Sequence, residues 1–573
     1  MPAYEPIDWH IDLKSGYRYM PLHHSQLKYG TVEGADAKVS ADLSRGYHLV
    51  TLAIAWQKTG NDLYRKEVIA QMLDWLTVNP YLYGAGWRAA MNVAIRTVNW
   101  ITAFSLIKDK FDLANENDQK FVEIFINSII DHRRFISANL EFSENDYHPN
   151  HYIANLAGLI AACTFLQSVD MESFGWQRIA LRELSREINY QVLPDGFDFE
   201  NATAYHALVL EITAYALILS ANMEKHFAIT DIKKWINCKM GDNFLGKLYK
   251  MFIVLRDITQ PNGLIPLIGD CDSGRFLYVE RPGNDTRDWR FLNCVGAALF
   301  EDASLLPNTV EQKHWTAAQN LFDAKSVMPN RDEQSCAYTD AGFYIFKNSN
   351  FFCMTSCGPI GTAGRGGHCH NDKLAVVLCI EDKEILIDPG IYVYTASRKY
   401  RDYYRSVFSH NTVAIGDQEQ NRFSDKSQWW GCYEETQCRC TDWNINEEEV
   451  FAGEHYGYTK LDKPVVHRRS ARWIKTQQKL IIDDYIIKKY KSEDLPRMKW
   501  SFILHPKCKV IAMEGNLAVV QQGSLEVKFC ISTGKWEKQQ HIYSPAYGVK
   551  TDCEKLIVEL PDGAEKNETI ISW

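Results

Sequence analysis

The chain has 573 residues, 46% hydrophobic and 24% charged, with a formal net charge of −9. That length implies more than one domain, and the composition is that of a globular protein with a large core. No nucleic-acid partner is expected, and no run of about 20 apolar residues suggests a membrane span. The 15 cysteines are an odd number without a CxxC pair, which points to buried thiols or a reducing compartment. The first residues lack a basic segment followed by an apolar one. The expectation is a cytoplasmic protein if the chain is complete, and a periplasmic or secreted one if a signal has been removed.

Residues 38 to about 325 read mostly as helix. Leu43, Tyr47, Val50 and Ile54 repeat as one apolar face. Trp87–Ile107, Phe121–Ile136, His151–Leu166, Trp176–Ile188, Ala204–Leu219 and Phe244–Leu255 continue the series, with turn residues at joints such as Asn79-Pro80 and Pro261-Asn262-Gly263. Repeated amphipathic helices with short links predict a helical bundle or an (α/α) toroid. Asn150 is placed to cap the helix beginning there, with His151 in its first turn. Tyr205 lies at another helix start, where a tyrosine ordinarily packs. Asp270-Cys271-Asp272 has a metal-like spacing, but no further ligands follow, so a loop brace is expected.

After Val327-Met328-Pro329-Asn330 the period changes. Phe343–Phe346, Phe351–Met354, Val465–Ile474, Lys479–Ile486, Met498–Leu504 and Leu525–Ile531 predict short strands. An all-α half followed by an all-β half predicts two domains, 1–330 and 331–573, with the ligand site in the cleft between them. Within the second half, His368 and His370 fall on one face of an extended strand. Leu374–Cys379 and Glu384–Ile387 predict two strands joined at Glu381-Asp382, a hairpin that returns Asp388 toward His370. His410 follows in His410-Asn411-Thr412. Two imidazoles and a carboxylate that converge suit zinc, with one position open, and manganese also fits a mixed nitrogen and oxygen set.

These segments, in this order, resemble the heparinase II/III-like polysaccharide lyases. The resemblance rests on Gly367-His368-Cys369-His370-Asn371-Asp372-Lys373-Leu374, Asp388-Pro389-Gly390, His410-Asn411-Thr412, the Asp340–Tyr344 opening of the β-half, Asn150-His151, and Tyr205 in Glu200–His206. Trp87–Arg96 and Ile268–Arg275 match two further family stretches, and Cys369 replaces the commoner glycine. The implied fold is α+β multidomain: an N-terminal incomplete (α/α) toroid followed by a C-terminal antiparallel β-sandwich. The resemblance implies a divalent metal, zinc first, held by His370, Asp388 and His410, with His368 left to face the substrate. It also implies that Asn150 and His151 bind a uronate carboxylate, that Tyr205 is catalytic, and that Arg88 and Arg96 are candidate substrate contacts. A second tyrosine, Tyr394, Tyr403 or Tyr404, is the candidate acid, and Tyr394 and Tyr404 are further candidate substrate contacts.

The expected partner is an acidic polysaccharide or oligosaccharide, glycosaminoglycan first and alginate next, cleaved by β-elimination. Abstraction of the C5 proton puts charge on the uronate carboxylate, which donors such as Asn150 and His151 would stabilise. Tyr205 would move protons on one sugar face, and His368 would be the base for the opposite face. Binding a polyanion at net charge −9 requires local cations, with Arg88, Arg96, Arg365, Arg398, Arg401 and Arg405 as candidates. A hydrolase would instead use paired carboxylates, Glu200 with Asp198 or Asp270. A non-catalytic glycan-binding protein is the third class.

Overall fold

The computed structural model describes residues 4–28, 30–142, 148–226, 228–241, 243–280, 285–329, 332–424, 429–446, 448–490, 495–560 and 564–573. The expected boundary at residues 330 and 331, and Tyr147 in the segment before Asn150, lie outside them.

The first half is helical: α1 Ala37–Ser44, α2 Tyr47–Thr59, α3 Asp62–Val78, α4 Ala90–Ile107, α5 Glu116–Ala138, α6 Asn150–Leu166, α7 Met171–Gln191, α8 Thr203–Met223, α9 Ile229–Met240, α10 Phe244–Ile258, α11 Arg290–Phe300 and α12 Thr316–Phe322. Helices α2, α4, α6, α8 and α10 pack in a row, each against the next, and α3, α5, α7 and α9 lean on that row. Helices α4, α6 and α8 are buried on almost every face. By contrast, α5 and α7 bury only one stripe. Gly158 permits the close approach of α6 to α4, since a Cβ there would lie 2.5 Å from Ala94 Cβ. Two alternating layers are the arrangement an (α/α) toroid uses.

Three local expectations change. Leu43 and Tyr47 lie on different helices, because Gly46 (φ 74°) breaks the chain between α1 and α2. Asn150 is the first helical residue of α6, and Pro149 occupies the cap position. Helix α8 is long and apolar enough to cross a bilayer, although no such run was expected. However, 89% of its apolar window is buried by neighbouring elements, as in a core helix.

The second half opens with an antiparallel sheet of β1 Cys336–Tyr338, β2 Phe343–Asn348, β3 Phe351–Ser356, β4 Val376–Ile380 and β5 Lys383–Leu386, in chain order. Register pairs Ile345 with Met354 and Phe346 with Cys353. The first pair points into the helical core, and the second into the core of the β-half. Val377 and Cys379 of β4 face the helices, while Val376, Leu378 and Ile380 face the other way. This sheet is therefore apolar on both faces and bonds the two halves into one continuous packing unit. Behind it stands an eight-stranded antiparallel sheet, with Val465–Ile474 and Lys479–Lys488 near its centre, and a four-stranded sheet completes the half.

Candidate active site and metal centre

The β4–β5 hairpin does what its pattern predicts. His370 precedes β4, Asp388 follows β5, and His410 follows the turn Val407–Ser409. Asn411 locks the hairpin, donating to the carbonyls of Val376 (2.7 Å) and Ile387 (2.9 Å) and accepting from the Ile503 amide (2.6 Å). His370, Asp388 and His410 are all buried, and their ligand atoms lie within 4.8 Å of one another. His370 Nε2 faces Asp270 Oδ1 at 3.0 Å, and His410 Nδ1 faces the Ser406 carbonyl at 2.8 Å. Each of those nitrogens must carry the proton, because its partner only accepts. The remaining nitrogens, His370 Nδ1 and His410 Nε2, are then both lone pairs, yet they face each other at 3.2 Å. Asp388 Oδ2 joins them 3.4 Å from His410 Nε2. Burial lowers the His370 imidazole and takes that of His410 down to about 3, so both rings are neutral. Burial pushes the Asp388 carboxyl well above its ordinary range, so a bound cation would displace the proton it otherwise keeps and meet two nitrogen lone pairs beside it, a nitrogen and oxygen set that fits zinc.

Asp270, from the loop between α10 and α11, sits behind this centre. Its Oδ2 accepts from His368 Nδ1 at 2.9 Å, and Arg401 grips both oxygens at 2.5 and 2.8 Å. Burial opposes its charge, but Arg401 and the two imidazoles outweigh burial and hold the carboxyl well below its ordinary range.

A cleft of about 410 Å³ lies in front of His368, lined also by Asn150, His151, Tyr205 and Tyr394. The His368 and Tyr205 rings stack with centroids 3.7 Å apart. The Tyr205 hydroxyl is 2.9 Å from that of Tyr394. Burial, followed by the charges of Asp272 and Asp270, pushes the Tyr205 hydroxyl well above its ordinary value. Glu200 accepts from the Asn150 amide at 2.8 Å and from its Nδ2 at 3.0 Å, and its Oε2 lies 3.4 Å from His368 Nε2. Glu141 accepts from His151 Nδ1 at 2.8 Å. Burial alone would lower His151, but the Glu141 carboxylate outweighs it and raises the imidazole above its ordinary value.

The structure brings Arg88 and Tyr394 to the cleft wall, but not Arg96 or Tyr404. Arg96 is fully buried. Its guanidinium lies 3.9 Å from the Trp75 ring centroid and bonds His132 Nε2 and the Gly86 carbonyl, so it packs inside the helical core. Tyr404 is fully buried in an apolar cluster, and Tyr403 bonds His541 away from the cleft. Arg398 and Arg405 are drawn to Asp402. Arg401 is buried behind His368, and Arg365 is exposed beyond the cleft wall. Asp270 is saturated by Arg401, His368 and His370, which removes it as a hydrolytic acid. Asp198 is fully buried, away from the cleft.

Several lining groups had no signal in the sequence. Lys38 and Arg45 reach the cleft from α1 and its end. Lys38 pairs with Asp42 at 2.6 Å and with Asp272 at 3.5 Å. Trp430 packs edge-on against Tyr394 and His368, with centroids 4.6 and 5.6 Å apart.

The fold as a whole is similar to that of solved heparinase III structures. One crystal structure of heparinase III superposes with a TM-score of 0.70 at 15% identity, covering 95% of this chain and 78% of that one. The heparan sulfate lyase structure from Pedobacter heparinus gives 0.60 at 17%, covering 95% and 78%. Residues 3–281 match the model of the heparinase II/III N-terminus, and residues 330–573 match that of the heparinase II/III-like C-terminal region. The chain belongs to the heparinase II/III-like family. Curated relatives include the heparin-sulfate lyases of Pedobacter heparinus, 23% identical over 465 residues, and of Bacteroides thetaiotaomicron, 21% over 489. These alignments cover 78% and 80% of this chain and 60% of each relative, so the chain spans about three fifths of their length.

Proposed function

We propose that this protein is a polysaccharide lyase that cleaves uronic-acid-containing polysaccharide by β-elimination, with heparan sulfate as the favoured substrate. The observation that carries the reading is that Asn150, His151, Tyr205 and His368 line one cleft, with Tyr394 beside Tyr205. The preference for heparan sulfate rests on the heparin-sulfate lyases among the relatives. Other glycosaminoglycans and alginate are the next polymers to try.

In this reading His151, raised by Glu141 toward the imidazolium form, meets the uronate carboxylate. The Nδ2 of Asn150, oriented by Glu200, contributes a second donor. Both stabilise charge that grows only as the C5 proton leaves. With His368 Nδ1 donating to Asp270, the Nε2 lone pair takes that proton. Glu200, 3.4 Å from Nε2, stabilises the imidazolium that results. Tyr205, whose raised pKa keeps it protonated, delivers a proton to the departing O4. The Tyr394 hydroxyl, 2.9 Å away, supports the phenolate that Tyr205 leaves behind.

His370, Asp388 and His410 would hold one divalent cation, zinc first and manganese next. When bound, it supplies the charge that joins these three side chains and fixes the hairpin carrying them. The test is a polymer panel of heparan sulfate, heparin, chondroitin sulfate, hyaluronan and alginate. The ultraviolet absorbance of the 4,5-unsaturated product is followed, and cleavage without that absorbance contradicts elimination.

A further inference from the structure

The geometry points to Asp270 as a positioning residue that ties the metal centre to His368, so that metal loading and alignment of His368 depend on each other. This rests on the roles proposed above for His368 and for the centre.

One carboxylate serves both rings. Oδ1 accepts from His370 Nε2 and Oδ2 from His368 Nδ1, at 3.0 and 2.9 Å. It therefore sets two tautomers at once. His370 is left with its Nδ1 lone pair toward His410 and Asp388, and His368 with its Nε2 lone pair toward the cleft. Arg401 takes the remaining positions on both oxygens, so the carboxylate cannot turn toward one ring without leaving the other.

The backbone enforces the same alignment. The Asp270 amide donates to the His368 carbonyl at 2.9 Å. Gly269 has φ +73°, and a Cβ there would lie 2.8 Å from the His368 carbonyl oxygen, so only glycine permits this approach. Asp270 comes from the helical half and the other three side chains from the β-half, so the tie also crosses between the halves. With a cation bound, His370 would donate more strongly from Nε2–H to Oδ1, which would fix the carboxylate. The fixed carboxylate then holds His368, and energetic coupling of this kind is reciprocal.

The experiment uses the full chain with zinc alone as the metal probe. Zinc retained per molecule is measured against graded chelator for wild type, Asp270→Asn and Arg401→Lys. Then kcat and KM on heparan sulfate are measured at saturating zinc. An amide has one acceptor oxygen, so Asp270→Asn cannot serve both rings and Arg401. It should release zinc at about 10- to 100-fold lower chelator. At saturating zinc its kcat should still fall about 10- to 100-fold, with KM changed less than about threefold. Arg401→Lys keeps the charge without the fork and should fall between the two, and it decides the matter if Asp270→Asn does not fold. Wild-type zinc retention in the variants, or wild-type kcat at saturating zinc, overturns the proposal. If the wild type holds zinc but cleaves no polymer, the elimination reading is the one that fails, and the zinc comparison still decides whether Asp270 supports the centre.

Discussion

Replacing Tyr205 with phenylalanine separates a chemical role from a packing role, because only the hydroxyl is lost. The ring keeps its stack on His368 at 3.7 Å. Among the described residues, the bond that disappears is that to the Tyr394 hydroxyl, at 2.9 Å. A bond of this kind contributes about 1 kcal/mol, and the melting temperature should fall by no more than about 2–4 °C. Proton transfer by a positioned side chain contributes about 100- to 10,000-fold in rate. At about 1.36 kcal/mol per tenfold, that is about 3–5 kcal/mol of barrier, several times the expected loss of stability. Initial rates are read from the absorbance of the unsaturated uronate, and stability from calorimetry on the same preparation. The expected result is a kcat lowered at least about 100-fold with KM little changed. A folded variant retaining kcat to within about tenfold would show that Tyr205 transfers no proton in the rate-limiting step.

Asn150→Ala should lower kcat about 100-fold with a small effect on KM, since the lost donor acts mainly on charge present in the transition state; steady-state kinetics checks it. Glu141→Gln removes the carboxylate that raises His151. The alkaline limb of the kcat/KM profile should therefore move to lower pH, because the imidazolium is lost earlier. The sign for stability follows from the same shift. The contribution of the His151 imidazolium is fully present below its unfolded pKa and is lost as pH rises through the raised folded one, so the melting-temperature advantage of wild type over Glu141→Gln should shrink over that rise. His370→Ala should lower both metal content and melting temperature, since metal binding is coupled to folding; elemental analysis with calorimetry reads both.

The strands of the β-half were readable because their period is two and their turns carry marked residues. Val465–Ile474 and Leu525–Ile531 match their predicted limits. The convergence of His370, Asp388 and His410 was readable for the same reason: one hairpin joins the first two, and Asn411 pins the third. Arg96 was misread because α4 is buried on nearly all faces, and a sequence does not distinguish a guanidinium facing a cleft from one packed on Trp75. Tyr394 separates from Tyr403 and Tyr404 only when the loop and the helix Arg398–Arg405 are folded. Asp270 was seen as a brace, yet its partners lie about a hundred positions away in the other half. Contacts across that distance leave no periodicity to detect, and the same holds for Lys38, Arg45, Glu141 and Trp430.

The most direct test of the elimination account compares heparan sulfate with the same polymer after its carboxylates have been reduced to alcohols. The C5 proton is acidic only beside a carboxylate, and in the proposed mechanism Asn150 and His151 act on that group. The account predicts cleavage of the native polymer to 4,5-unsaturated products and no cleavage of the reduced one. Comparable cleavage of the reduced polymer, giving products without the double bond, would contradict it.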